Sequence, residues 1–136
     1  MAVKLAKNCL DVGLVTAEGD KALAFYRDLL GFVEDGEVPF PGIGLVRRLR
    51  CGDSIFRILV LEKVPAHLAS TDGFAAQSGL RYLTLTVSNL EEVAAAAKAA
   101  GYPVPVPPRA LRPGVTVAQI EDGLGTAIEL MQMAEV

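Results

Sequence analysis

The sequence predicts an α+β protein built from two tandem βαβββ modules. Three observations carry this expectation. Each half opens with a short alternating run, continues into an amphipathic helix that stops at a glycine, and ends in strand-like runs joined by tight turns. Matching landmarks recur at near-constant spacing: Tyr82 lies 71 residues after Asp11, Gly101 70 after Gly31, and Glu129 72 after Arg57. A repeat of that length defines architecture before any single motif can. The chain has 136 residues, 51% of them hydrophobic, which suits one domain of two small halves. Module 1 is assigned to about residues 8–64, a linker to 65–78 and module 2 to 79–132, within a single domain over 1–136.

The first helix is expected over Asp20 to Leu30. Asp20 is a good N-cap, because its carboxylate can accept from free backbone N–H groups. Ala22, Phe25, Tyr26, Leu29 and Leu30 give one apolar face, and Gly31 suits a left-handed C-terminal residue. The second helix is expected over Asn89 to Ala100. Ser88 and Glu91 read as a capping box. Leu90, Val93, Ala94 and Ala97 form its buried stripe, and Gly101 closes it. Strands precede both helices: Leu10, Val12 and Leu14 alternate with Asp11, Gly13 and Val15, and Leu83, Leu85 and Val87 with Tyr82, Thr84 and Thr86. Further strands are expected at Gly42 to Cys51 and Ser54 to Leu61, turning at Gly52-Asp53. In the second half they fall at Val115 to Glu121 and Thr126 to Met131, turning at 122–125. Phe32 to Glu37 and Tyr102 to Pro107 each supply one more.

Composition removes several functions. A net charge of −3 with no basic stripe disfavours nucleic acid. One histidine, His67, and two cysteines, Cys9 and Cys51, cannot build a histidine-rich metal site, a Cys₂His₂ finger or a disulfide scaffold. Both thiols read as reduced and buried. No apolar run is long enough to span a bilayer, and Asp11 breaks the N-terminal apolar stretch, so no signal peptide is expected and the protein is assigned to the cytoplasm.

The strings Leu10-Asp11-Val12-Gly13-Leu14 and Ala24-Phe25-Tyr26-Arg27-Asp28-Leu29-Leu30-Gly31-Phe32 resemble the vicinal oxygen chelate superfamily. That superfamily includes glyoxalase I, methylmalonyl-CoA epimerase, extradiol dioxygenases and bleomycin-resistance proteins. The tail Asp122-Gly123-Leu124-Gly125-Thr126-Ala127-Ile128-Glu129-Leu130 resembles its closing strand, where a glutamate binds metal. The resemblance implies a curved, mostly antiparallel sheet forming a cup, with the helices on its outer face. It also implies a homodimer, since small single-chain members commonly pair. One such fold hosts isomerases, lyases, oxygenases and plain binders, so it does not set the chemistry.

The resemblance places Asp11, Arg57, Tyr82 and Glu129 where the family points metal ligands into the cup. Only Glu129 matches the usual pattern. Asp11 is an unusual ligand there, Tyr82 stands for a histidine, and Arg57 cannot ligate because guanidinium offers no lone pair. A divalent ion wants three or more good donors. No cofactor is therefore expected, with Asp11 and Glu129 as the only residual metal candidates. Arg57 is expected to bridge the carboxylates instead. Strand parity agrees without the family. Phe56, Ile58 and Val60 share one face opposite Arg57, and Ile128 and Leu130 share one opposite Glu129. All four polar residues are expected to face one pocket away from the helices.

Arg47, Arg48 and Arg50 form a basic cluster that reads as an exposed strand face or as an anion clamp. Alternation puts Arg48 and Arg50 on one side and Arg47 on the other. Arg48, Arg50 and Thr84 are the ligand-binding candidates. His67 reads as a surface residue in the linker, although an imidazole titrates near neutral pH. There is no G-x-S-x-G elbow, and Gly42-Ile43-Gly44 lacks the rest of a dinucleotide fingerprint. Prolines 103, 105, 107, 108 and 113 read as an edge or a rim. Two functions follow. The first is a metal-free binder of a small organic molecule, of the bleomycin-resistance type. The second is an enzyme, an isomerase, epimerase, lyase or dioxygenase. It would use an atypical metal site or carboxylate chemistry, with Glu129 or Asp11 taking a proton and Arg57 or Tyr82 stabilising an enolate.

Overall fold

The computed structural model describes residues 1–134. It divides into two compact units, residues 1–66 and 67–136. The first contains β1 (Val12–Thr16), a helix α1 (Gly19–Leu23) that continues as a π-helical turn (Ala24–Leu29), β2 (Val33–Phe40), β3 (Gly44–Cys51) and β4 (Ser54–Leu61). The second contains a 3₁₀ turn (Phe74–Ala76), β5 (Tyr82–Thr86), α2 (Leu90–Ala99), β6 (Val106–Arg112), β7 (Val115–Glu121) and β8 (Ala127–Met133). The expected single sheet is thus two four-stranded sheets, ordered β1-β4-β3-β2 and β5-β8-β7-β6. Both are mixed: β1 runs parallel to β4 and β5 to β8, and the remaining pairings are antiparallel.

Register makes the duplication concrete. Gly13 pairs with Arg57 and Arg57 with Arg48 in the first unit. Thr84 pairs with Glu129 and Glu129 with Gln119 in the second. The spacing drifts for identifiable reasons. The first helix holds one residue more between its strand and its closing glycine, and the backbone absorbs it by widening. Leu30 N–H donates to the Phe25 carbonyl at 2.9 Å, five residues back, as in a π-bulge. The second unit then holds one residue more between its closing glycine and its third strand (Gly31 to Arg48 is 17, Gly101 to Gln119 is 18) and one more across the final hairpin (Arg48 to Arg57 is 9, Gln119 to Glu129 is 10), which carries the offset from 70 to 72. Gly31 and Gly101 close the two helices with φ of 79° and 90°, which no other residue type adopts as cheaply.

Each helix covers one face of its sheet. In the first unit the layer between them is aromatic: Phe25 and Tyr26 are fully buried, and Tyr26 stacks on Phe56 at 4.2 Å. In the second it is aliphatic, with Leu90, Ala94 and Ala97 against Ala118, Ile120, Ile128 and Leu130.

Several local expectations are corrected. Asp20 lies inside the first turn of α1, after Glu18, and makes no capping bond. The Ser88–Glu91 box does not form. Asn89 holds the cap position, and the Leu90 N–H is satisfied by the Gln132 side chain on β8 at 2.9 Å. Tyr102 to Pro105 is not strand, because β6 begins at Val106, where pairing with β7 starts. Cys9 and Cys51 are free but only half-buried. No helix among the described residues is long and apolar enough to cross a membrane.

Candidate functional site

In the first unit the extension of β1 brings Asp11 beside β4. One carboxylate oxygen accepts from the Ile55 N–H at 2.8 Å and from Lys7 Nζ at 2.7 Å. The other accepts from Arg57 Nη1 at 3.0 Å. The Ile55 amide, then Lys7 and then Arg57 hold this carboxyl well below the usual carboxylate range. A carboxylate with both oxygens so engaged is a poor proton acceptor. Arg57 therefore does meet Asp11. Arg48 and Arg50 share the face of Arg57. Arg47 points the other way, where Glu34 at 2.7 Å joins it to Arg27 of the helical segment.

In the second unit Glu129 is the third residue of β8. Thr84 donates its hydroxyl to Glu129 Oε1 at 3.1 Å. Within its own unit no other donor is placed on this carboxylate among the described residues. Tyr82, two residues before Thr84, meets Phe74 edge to face at 5.6 Å. Tyr82, Phe74 and Glu129 line a half-open pocket of about 240 Å³, together with Arg109, Gln119, Val106, Leu111 and Val117. Asp11 with Arg57, and Tyr82 with Thr84 and Glu129, are the groupings the structure makes within its units.

Phe74, Arg109, Gln119 and Arg81 escaped the sequence reading. Gln119 was accessible through the repeat, as the residue 71 places after Arg48. Arg109 sits among prolines, and Phe74 in a segment read as a linker. Arg81 is 8% exposed and is held by three backbone carbonyls. Its Nη1 donates to the Gln77 carbonyl at 3.2 Å, and its Nη2 to those of Ser70 and Gly125 at 2.8 and 3.0 Å. This guanidinium ties the segment bearing Phe74 to the β7–β8 turn, and so fixes one wall of the pocket.

The family resemblance implies a divalent ion, and the residues do not fit one. Arg57, a permanent cation, stands at the position equivalent to Glu129. Asp11 is consumed by three donors, and no imidazole is among the four. No group of three His, Cys, Asp or Glu side chains comes together among the described residues.

Known proteins agree with this architecture. The structure of SMU.1112c is similar to the chain at 26% identity, with a TM-score of 0.74, over 93% of this chain and 99% of that one. TnmS3, an antibiotic binding protein from a Streptomyces species, is similar at 18% identity and a TM-score of 0.69, over 96% and 100%. Lactoylglutathione lyase from Agrobacterium tumefaciens is similar at 18% identity and a TM-score of 0.63, over 94% and 96%. Among curated proteins none matches the sequence significantly. A sequence model of the Glyoxalase/Bleomycin resistance protein/Dioxygenase superfamily matches residues 10–130, nearly the whole chain. With the duplicated βαβββ topology, that match establishes that the chain belongs to the glyoxalase/bleomycin resistance/dioxygenase superfamily.

Proposed function

We propose that this protein binds a small organic molecule in the pocket of its second unit, without a divalent ion, as a cytoplasmic homodimer. One observation carries the reading: a largely apolar, aromatic-edged pocket presents a carboxylate, Glu129, and a guanidinium, Arg109, that has no ion-pair partner among the described residues. Pockets of this kind use apolar walls for affinity and a few polar groups for orientation. The ligand class that suits it has a planar body for Phe74 and Tyr82, a hydrogen-bond donor for Glu129 and an acceptor or anion for Arg109. Antibiotic binding, given for TnmS3, is one use to which this fold is put.

A thermal-shift screen of aromatic amines and amino-carboxylates tests this. Hits should lose about tenfold or more in affinity in Glu129→Gln, the cost of one charge-assisted hydrogen bond. Hits that bind Glu129→Gln and Phe74→Ala as well as the parent protein would overturn the pocket assignment. Metal analysis of protein purified without chelator should find no stoichiometric divalent ion. Light scattering should give twice the 14.4 kDa of one chain.

The hydrogen bond from Thr84 favours one alternative, in which Glu129 moves a proton. The hydroxyl engages Oε1 of a carboxylate that lines the pocket, and no donor is placed on Oε2 among the described residues, as a general base next to a carbonyl requires. Exchange of solvent deuterium into the α-carbon of a bound carbonyl ligand, lost in Glu129→Gln, would favour this enzyme reading over simple binding.

A further inference from the structure

The sheet face of the first unit carries more positive charge than it neutralises. Arg48 and Arg57 are direct cross-strand partners, and Arg50 lies two residues along the same face. Like charges placed opposite each other destabilise a sheet. Asp11 answers Arg57 alone. Asp35 stands 3.8 Å from Arg48 and 3.9 Å from Arg50, beyond hydrogen-bonding reach of both. Arg48 Nε is buried and has no hydrogen-bond partner. Such a donor is costly to leave unmade, and native structures contain few of them. Arg47, on the opposite face, shows the contrast: Glu34 meets it at 2.7 Å and Glu37 at 3.5 Å. Where this unit needs its arginine cancelled, it supplies close carboxylates.

We propose that Arg48 and Arg50, with Arg57 at their edge, form an oxyanion-binding site for the carboxylate or phosphate group of a small molecule. The guanidinium fork is built for that geometry, presenting parallel N–H donors to two oxygens. An oxyanion on the exposed Nη groups of Arg48 and Arg50 would relieve the repulsion between Arg48 and Arg57 and outcompete the loosely placed Asp35. Both side chains are accessible to it: Arg48 is 33% exposed and Arg50 51%. The site uses none of the residues that line the pocket of the second unit, so it stands or falls independently of the function proposed above.

The test is titration of the full-length protein with inorganic phosphate and, separately, with succinate. Ionic strength is held constant with chloride, and binding is read by calorimetry and by the arginine Nε–H resonances. Saturable binding with a shift of the Arg48 Nε signal is the expected result. Tighter binding of phosphate identifies a phosphate group, and tighter binding of succinate a carboxylate. Arg48→Gln and Arg50→Gln should each weaken binding about tenfold or more. Asp35→Asn should strengthen it, a change of opposite sign that keeps the test decisive if an arginine variant misfolds. Arg47→Gln should leave affinity unchanged. Neither anion binding, chloride reproducing both titrations, or Arg47→Gln weakening binding as much as Arg48→Gln would overturn the proposal.

Discussion

The two units share a topology and a register but carry opposite chemistry on their sheet faces. Across the first, β1, β4 and β3 place Gly13, Arg57 and Arg48 in a row. Across the second, β5, β8 and β7 place Thr84, Glu129 and Gln119 in the same positions. A cation flanked by a glycine and a second cation has become an anion flanked by a hydroxyl and an amide. One row consumes its neighbouring carboxylate, Asp11, to hold its own arginine. The other keeps its carboxylate for the pocket. The helix-covered faces keep an apolar centre, and the charges that reach the helix side of the first unit, Arg47 with Glu34 and Arg27, are closely paired, whereas the inverted charges lie on the face that the helices leave uncovered.

The largest test of the comparison lies in the helix layers. Tyr26→Ala empties the aromatic stack of the first unit and should cost about 3–5 kcal/mol in chemical denaturation. Ala97→Gly, in the small-residue layer of the second, should cost only about 1 kcal/mol, the helix penalty of glycine. Equal losses would show that the two layers do not differ in kind. The turns come next. Asp122 is buried, and its carboxylate accepts from the N–H groups of Leu124 and Thr126 at 2.7 and 3.0 Å. Asp122→Ala should cost about 1–3 kcal/mol through these unsatisfied donors. Asp53→Ala, in the shorter turn of the first unit, should stay within about 0.5 kcal/mol.

The smallest effect concerns pH. Asp11 has its carboxyl pulled down in the folded state, from an ordinary value of 3.8. Its contribution to stability is complete above that value and fades as pH falls from there through the lower folded-state value. Asp11→Asn should therefore lower stability at neutral pH and flatten the acid limb of the stability curve below about pH 4. Tyr82→Phe, at the equivalent place in the second unit, should leave the acid limb unchanged. A denaturation series from pH 2 to pH 7 reads both.

Much of the fold was legible because it rests on local pattern. Alternation located Ser54–Leu61 and Val115–Glu121, and glycines marked both helix ends. The failures were tertiary. The start of α2 is capped by Gln132, 42 residues away, which no local box can reveal. The start of β6 is decided by pairing with β7 across a proline-rich stretch. The candidate site was half legible. Parity found the side of the sheet for Arg57 and Glu129. Phe74 escaped because a buried arginine, not a pattern, puts it against Tyr82.

The π-helical turn bears on how such a chain can be edited and how it diverged. Between the two halves, residues have been gained or lost where backbone can give: one in a helix that opens, one between the closing glycine and the third strand, and one across the final hairpin. The paired strands that carry the two rows have kept step. Deleting one residue from Ala24–Leu29 should therefore close the segment into an ordinary α-helix and leave the sheet face intact, whereas the same deletion inside Ser54–Leu61 would rotate every following side chain to the opposite face. Any search for the ancestry of the two halves has to treat the intervals between strands as elastic and the strands as rulers.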